Sequence, residues 1–171
     1  MATYFVQSST VGVDLNNTGT TQLFALGTHV LGTADSEWVY VQAATAVTLG
    51  KCVVINSAGT CAMASATDMV QGTIQLLGFA QVAFAASDFG WIPIRGGAGN
   101  AMAVLTTGST SATSQVCVAG SGASTGMVST VATASGSVMG VLFVSIAQTA
   151  TATLSGAVLT WPRAANTTVG P

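Results

Sequence analysis

The feature that most constrains the fold of this 171-residue chain is a succession of short runs of Val, Ile, Thr and aromatic residues, separated by clusters of Gly, Ser and Asn. Runs of this composition and spacing are typical of strands joined by turns. In one run, Trp38 and Tyr40 share one face while Val39 and Val41 share the other. The pattern predicts an all-β fold, a β-sandwich or barrel of many short antiparallel strands. The predicted strands are residues 4–7, 22–26, 29–33, 37–43, 52–56, 61–64, 77–85, 89–95, 101–105, 115–119, 127–131, 140–146 and 153–161.

Proline marks one of these strands as irregular. In the run 91–95, Ile92 and Ile94 share a face, and Pro93 lies between them. Because proline has no backbone N–H to donate, we expect this strand either to lie at a sheet edge or to meet a bulge.

The two ends of the chain differ from its middle. Both ends lack a sustained apolar period, so we expect them to be arms that become ordered when a neighbour holds them. Inside the middle part, residues 38–41 parallel residues 91–94, which indicates either an internal duplication or chance similarity. The expected segments are an N-terminal arm at 1–19, a β domain at 20–162 with pseudo-repeats at 38–90 and 91–146, and a C-terminal tail at 163–171.

Charged residues are scarce. Asp, Glu, Lys and Arg make up 5% of the chain, against about 25% in an ordinary globular domain. A free monomer normally stays soluble through a charged surface, so this chain either lies in a membrane or covers its surface with protein neighbours. The best apolar run, residues 138–147, is too short for a spanning helix of about 20 residues. Aromatic residues, at 6%, are too few for the girdles of a membrane barrel, so we expect no membrane association.

The same scarcity bears on other partners. Lys51, Arg95 and Arg163 are the only basic residues, and they are too scattered to form a phosphate-binding surface, so nucleic acid is not expected as a partner. The first residues have neither the basic nor the apolar region of a signal peptide, which predicts assembly in the cytoplasm.

Residues with catalytic or metal-binding chemistry do not converge in the sequence. His29 is the single histidine, so a histidine-based metal cluster is not expected within one subunit. Asp35 and Glu37 are two residues apart, a spacing that suits either Ca²⁺ or a solvated turn, and the turn is the favoured interpretation. We therefore expect a protein that is not an enzyme, with no metal site and no cofactor.

The three cysteines are odd in number and do not form a disulfide framework. Cys52 and Cys61 flank a predicted hairpin, across which they would face each other. The favoured alternative is that both are small buried residues, which is the usual place of cysteine.

Aromatic residues at strand ends are the remaining candidates for a functional surface. Such residues dominate both core and interface energetics, and the core is the favoured place for them here. Trp91, next to Pro93, is the first candidate for an interface. Asp88 and Arg95 flank the same strand, and we expect them to pair with each other or across an interface. The candidate interface residues are Tyr4, Phe5, Val6, Trp38, Tyr40, Phe89, Trp91 and Arg95.

Two stretches of the chain resemble structural proteins of tailed bacteriophages, in particular small head decoration (cement) proteins. The stretches are residues 26–43, with Leu-Gly-Thr-His-Val-Leu-Gly-Thr running into Ser-Glu-Trp-Val-Tyr-Val-Gln-Ala, and residues 78–96, with Gly-Phe-Ala-Gln-Val-Ala-Phe followed by Phe-Gly-Trp-Ile-Pro-Ile-Arg-Gly. Decoration proteins often carry a Phe/Tyr-Gly-Trp-Val-Gln-like strand, a Gly turn and a Val-rich hairpin. Pro93 and Arg95 depart from the commoner Val-Gln, and the resemblance covers residues 20–146.

This resemblance implies a β-rich protein on the outer surface of the virion, assembled in the host cytoplasm. Such proteins form trimers or other local homo-oligomers and clamp neighbouring subunits of the major capsid protein. An N-terminal arm would add a strand to a capsid sheet edge. The alternatives are another particle component, such as a head-fibre base, a tail protein or the shell subunit itself, and a β-barrel carbohydrate-binding module that uses Trp38 or Trp91.

Overall fold

Strands form all the regular structure in the described part of this computed structural model, which covers residues 3–5, 12–32, 35–65, 76–96, 102–106, 116–118, 127–129, 137–143 and 153–165. The all-β prediction is confirmed for these residues, and no helix among them is long and apolar enough to span a membrane. The strands are β1 (Thr3–Phe5), β2 (Gly12–Asp14), β3 (His29–Leu31), β4 (Glu37–Ala43), β5 (Cys52–Ile55), β6 (Thr60–Met63), β7 (Leu76–Phe79), β8 (Phe89–Gly96), β9 (Met102–Thr106), β10 (Val116–Val118), β11 (Val128–Ser129), β12 (Ser137–Phe143) and β13 (Thr153–Ala165).

Eleven of the strands form one nearly closed, barrel-like sheet, and β1 and β2 form a separate pair. Ten follow the order β12-β10-β11-β9-β13-β7-β5-β6-β4-β3, while β8 pairs with both β13 and β4. Strand β8 therefore gives a second connection between β13 and β4, in addition to the path through β7, β5 and β6. The pairs are mainly antiparallel, as predicted, but β4 runs parallel to β6 and β9 runs parallel to β11.

Strands β4 and β8 lie between two hydrophobic clusters. Trp38 and Tyr40 of β4 belong to one cluster, while Val39 and Val41 belong to the other, as their alternation predicts. On β8, Trp91 faces the first cluster, and Ile92 and Ile94 face the second. Burial of both faces makes this pair of strands the centre of the hydrophobic core.

Pro93 coincides with a β-bulge, one of the two alternatives that its sequence position suggests. Trp38 pairs with Pro93, whereas the preceding Glu37 pairs with Arg95, so Ile94 is the additional residue on β8. An unbroken register would place Arg95 opposite Ser36. The bulge instead brings Arg95 opposite Glu37.

Two predicted strand segments are largely absent from the structure, and β2 was not predicted. Residues 22–26 form a loop, in which the Leu23 N–H donates to the Tyr40 hydroxyl (3.0 Å) rather than to a neighbouring strand. The predicted strand 77–85 ends at Phe79. There the side-chain amide of Gln81 takes the place of backbone pairing, because its Oε1 accepts from the Ala103 N–H (2.8 Å) and its Nε2 donates to the Ala103 carbonyl (3.0 Å).

Residues from both expected terminal segments contribute to the barrel. Val13 and Leu15, inside the segment 1–19, are buried in the first hydrophobic cluster. Gly19 exchanges backbone hydrogen bonds with Phe89 (3.0 and 2.8 Å). At the other end, β13 continues to Ala165, three residues into the segment 163–171.

Cys52 and Cys61 lie on opposite sides of the sheet. Cys52 belongs to the first hydrophobic cluster and Cys61 to the second, and both are free thiols. They do not face each other across the β5–β6 hairpin, because Cys61 pairs with Ile55. The alternative that both are buried core residues is confirmed, while the side chain of Cys117 lies outside the described part of the structure.

We expect both described thiols to resist alkylation in the native protein. Burial raises the pKa of Cys52 strongly and that of Cys61 to about 12. Since only the thiolate reacts, about one Cys61 side chain in ten thousand is reactive at pH 8. Peptide mapping after iodoacetamide treatment should find both residues modified only after denaturation. Native labelling of Cys61 at the rate of a free thiol would contradict this placement.

Gly78 tests the close approach of β7 to β8. An alanine Cβ at position 78 would meet the Ile92 side chain and would lie 2.8 Å from the Pro93 carbonyl oxygen. Because backbone must shift to relieve this overlap, Gly78→Ala should lower the free energy of unfolding by about 1–3 kcal/mol. Gly19→Ala is the matched control, since nothing lies within 4 Å of its added Cβ. Urea unfolding that gives the two variants equal stability would contradict the packing.

Candidate functional site

Three of the predicted interface residues lie in the core and present no surface. Trp38, Tyr40 and Trp91 are exposed by only 2–3%, so their assignment to an interface is wrong. The reason is aromatic packing: the Tyr40 and Trp91 ring centroids are 5.0 Å apart, and Phe24 lies 5.3 and 5.2 Å from these two rings. Phe89 is partly buried and stacks on Tyr40 at 6.3 Å.

The N-terminal candidates give no surface contact to describe. Tyr4 and Phe5 belong to β1, where their backbones pair with Val13 and Gly12, and their side chains lie outside the described part. Val6 lies outside the described residues altogether. Arg95 is therefore the candidate that leads to a site.

Arg95 lies near the end of β8 and makes a two-pronged ion pair with Asp35. Its Nη1 donates to Asp35 Oδ2 (3.0 Å), and its Nη2 lies 2.7 Å from Asp35 Oδ1. Its Nε lies 3.8 Å from Glu37 Oε2. The alternative that Asp88 and Arg95 pair with each other is wrong, because these residues flank opposite ends of an extended strand about 20 Å long, whereas pairing across an interface stays a prediction. Asp88 instead accepts the Ala85 N–H (2.9 Å).

Trp161 lies over the guanidinium of Arg95. The Arg95 Cζ is 4.6 Å from the ring centroid, and the indole Nε1–H donates to Glu37 Oε2 (3.1 Å). The residue is 43% exposed, which is unusual for so large an apolar side chain in this molecule. An aromatic side chain thus sits at the surface with its plane fixed by two polar neighbours.

An irregularity in β13 places Trp161 there. Leu159 pairs with Val141 and Arg163 pairs with Met139, so residues 160–162 of β13 stand opposite Gly140 alone. Trp161 has a φ of 49°, a left-handed conformation that costs about 1–2 kcal/mol for a residue with a Cβ. Strain of this kind persists where the surrounding structure fixes it, and it often marks functional positions.

Glu37 links the remaining members of the site. Its Oε1 lies 2.8 Å from His29 Nδ1, while its Oε2 accepts from Trp161. His29 is brought into place by β3, which pairs with β4 so that His29 faces Val39. We call the set His29, Asp35, Glu37, Arg95 and Trp161 the Trp161 patch.

The Trp161 patch gathers chemistry that is rare elsewhere in the chain. It contains the only histidine and three of the eight charged residues. Asp35 and Glu37 direct their carboxylates to Arg95 rather than to each other. Within the described ranges, no three His, Cys, Asp or Glu side chains are grouped to hold a metal ion. The patch combines an exposed ring with hydrogen-bond donors and acceptors, an arrangement suited to binding.

The sequence interpretation missed His29 and Trp161 as members of a site. One local signal was available for Trp161, because Pro162 follows it and proline interrupts a strand ladder. No local signal joins His29 to Trp161, since the two residues are 132 positions apart in the sequence and meet only through Glu37.

A double-mutant cycle should measure the contact between Arg95 and Trp161. We expect Arg95→Gln and Trp161→Leu to be non-additive by about 0.5–1 kcal/mol in the free energy of unfolding, the value typical of an exposed cation–π pair. Leu154→Ala, at another exposed position of β13, should be additive with Arg95→Gln within about 0.5 kcal/mol. Equal coupling in the two cycles would contradict the contact.

Comparison with known proteins adds no relative. No model of a known protein family matches the chain, and a search of curated proteins finds no significant match.

Proposed function

We propose that this protein is a non-enzymatic structural component of a virus particle, which decorates and cements the head of a tailed bacteriophage by binding its major capsid subunits. The sequence resemblance over residues 20–146 suggests this class. The nearly closed all-β sheet is compatible with it, since such a domain offers a rigid surface for docking. Its place is the outer surface of the virion, and it takes no cofactor.

The observation that carries the proposal is the small number of charged side chains on the described surface. Arg95 is paired with Asp35, and Lys51 is buried at 5% exposure, which lowers its pKa by desolvation. The carboxylates of Asp14 and Asp88 accept hydrogen bonds from backbone N–H groups. A neighbour can cover most of such a surface while removing few charges from water, and removing charges from water is the costly step in forming an interface.

The binding mechanism follows from the small number of charges on the described surface. Each copy contributes a modest contact through shape and hydrogen bonding, and repetition over a symmetric shell makes the sum strong. Self-association, with a trimer favoured, would bring several such contacts to one junction of the shell. The N-terminal segment would add a strand to a sheet edge of a capsid subunit.

The carbohydrate-binding alternative that uses Trp38 or Trp91 loses its platform. Both rings are 2% exposed, and a sugar cannot stack on a ring without exposed faces. Any binding of sugar has to involve a different aromatic residue.

Purified particles of the phage that encodes the chain test the proposal. We expect the protein at a fixed copy number per shell, and particles without it should release their DNA at a lower temperature. Adding the isolated protein back should restore the wild-type release temperature. Absence of the protein from particles, or an unchanged release temperature without it, would overturn the proposal, and presence only in tails or fibres would transfer it to another particle component.

The dependence of binding on salt concentration is a second test, because neutral and charged interfaces respond to salt differently. Binding through neutral contacts should change little between about 0.1 M and about 1 M salt, since ions screen only charged contacts. The retained fraction on particles can be measured by sedimentation. Dissociation at high salt would contradict the neutral-contact mechanism while leaving particle membership to the copy-number measurement.

A further inference from the structure

We infer that the Trp161 patch is a carbohydrate-binding site that takes a neutral pyranose ring on the exposed face of Trp161. This inference does not depend on the proposed particle function, because the patch is formed within one chain. It assigns a ligand to the one described place where an exposed large aromatic ring and charged side chains occur together.

The ring of Trp161 is a prepared platform. Arg95 lies over one face at 4.6 Å and Glu37 holds the Nε1–H, while the residue as a whole remains 43% exposed. The negative face of an aromatic ring attracts the polarised C–H groups on the apolar side of a pyranose. Because the neighbours already fix the ring, a ligand loses little free energy in ordering it.

The polar groups around the ring match hydroxyl groups. The Asp35 side chain is 73% exposed and offers acceptors, and the His29 side chain is 47% exposed with one ring nitrogen left after its contact with Glu37. Each terminal nitrogen of Arg95 carries two N–H groups, one of which Asp35 uses, so donors also remain. A sugar hydroxyl both donates and accepts, and so it can use this mixture.

Charge argues against ionic ligands. Two carboxylates accompany one guanidinium, so a phosphate or another anion would meet net repulsion. A cationic ligand on the open face would lie across the ring from the Arg95 guanidinium, whose charge would repel it. A neutral polyhydroxylated ligand avoids both penalties.

The surroundings argue against a protein ligand at this position. The exposed large hydrophobic residues of the described part are Leu23, Leu154 and Trp161. Leu154 lies seven residues earlier on β13, about 20 Å away along the strand. A protein interface centre is an apolar patch around an aromatic anchor, whereas Trp161 contacts the charged side chains of Arg95 and Glu37.

Tryptophan fluorescence of the isolated full-length protein can test the inference. The probes are neutral hexasaccharides of glucose in α and β linkage, of mannose, of galactose and of N-acetylglucosamine. Since Trp38 and Trp91 are buried and Trp161 is exposed, a saturable change in emission should come from Trp161. We expect at least one probe to bind, and titration calorimetry, which does not need the Trp161 signal, should show binding at least about tenfold weaker in Trp161→Ala, the loss expected for one stacking contact.

Two further variants separate binding from folding. Asp35→Asn keeps an acceptor but loses the ion pair with Arg95, and we expect several-fold weaker binding with an unchanged fold by circular dichroism. Leu154→Ala removes another exposed apolar side chain of β13 and should bind as the wild type does. If Trp161→Ala does not fold, Trp161→Phe gives the same comparison, and we expect weaker binding because its ring is smaller. Binding to this variant is measured by the protection of backbone amides in the Trp161 patch from hydrogen exchange.

Three results would overturn the inference: no probe binds, binding persists in Trp161→Ala, or a protein partner cross-links through position 161 and competes with every sugar. Whether Trp161→Ala is incorporated into particles shows separately if the proposed particle function holds when the sugar site fails. Normal incorporation together with lost sugar binding supports both, whereas normal incorporation without any sugar binding in the wild type removes only the sugar site.

Discussion

The antiparallel pairing of β4 with β8 is the constraint on which the rest of the structure depends. It joins residues 37–42 to residues 89–95, and hydrophobic clusters cover both of its faces. Strand β4 also pairs with β3 and with β6, and β8 also pairs with β13. Without this pairing the sheet would keep only the connection through β7, β5 and β6, and Trp38, Tyr40 and Trp91 would lose their shared environment.

The functional geometry arises where this regular pairing is interrupted. The bulge at Ile94 shifts Arg95 opposite Glu37, and the irregular stretch of β13 projects Trp161 over the same arginine. The two irregularities are adjacent, because Arg95 pairs with Thr160. Backbone strain at Trp161 is thus offset by contacts that only these displaced registers provide.

Local pattern predicted the elements well and their long-range assembly poorly. Alternation assigned both faces of β4, and the missing N–H of Pro93 indicated the bulge, since these depend on neighbours in sequence. The Trp161 patch brings together His29, Asp35, Glu37, Arg95 and Trp161 from four strands and a turn, and their register is decided by packing across the whole sheet. The hydrogen bonds of the Gln81 side-chain amide to the Ala103 backbone could not be predicted from strand propensities either, because they join residues 22 positions apart.

The scarcity of charge acquires a more specific meaning from this placement. In most proteins, charged side chains spread over the surface keep the molecule dissolved and apart from others. Here three of only eight charged residues orient the ring of Trp161, directly or through one another: Asp35, Glu37 and Arg95. Arg95 offsets one of the two carboxylates, and salt at about 0.15 M screens the remaining charge beyond about 8 Å, so that the surface away from the patch is little affected. The sparsely charged parts of this surface suit contact with neighbouring proteins, and the Trp161 patch suits recognition of a specific ligand.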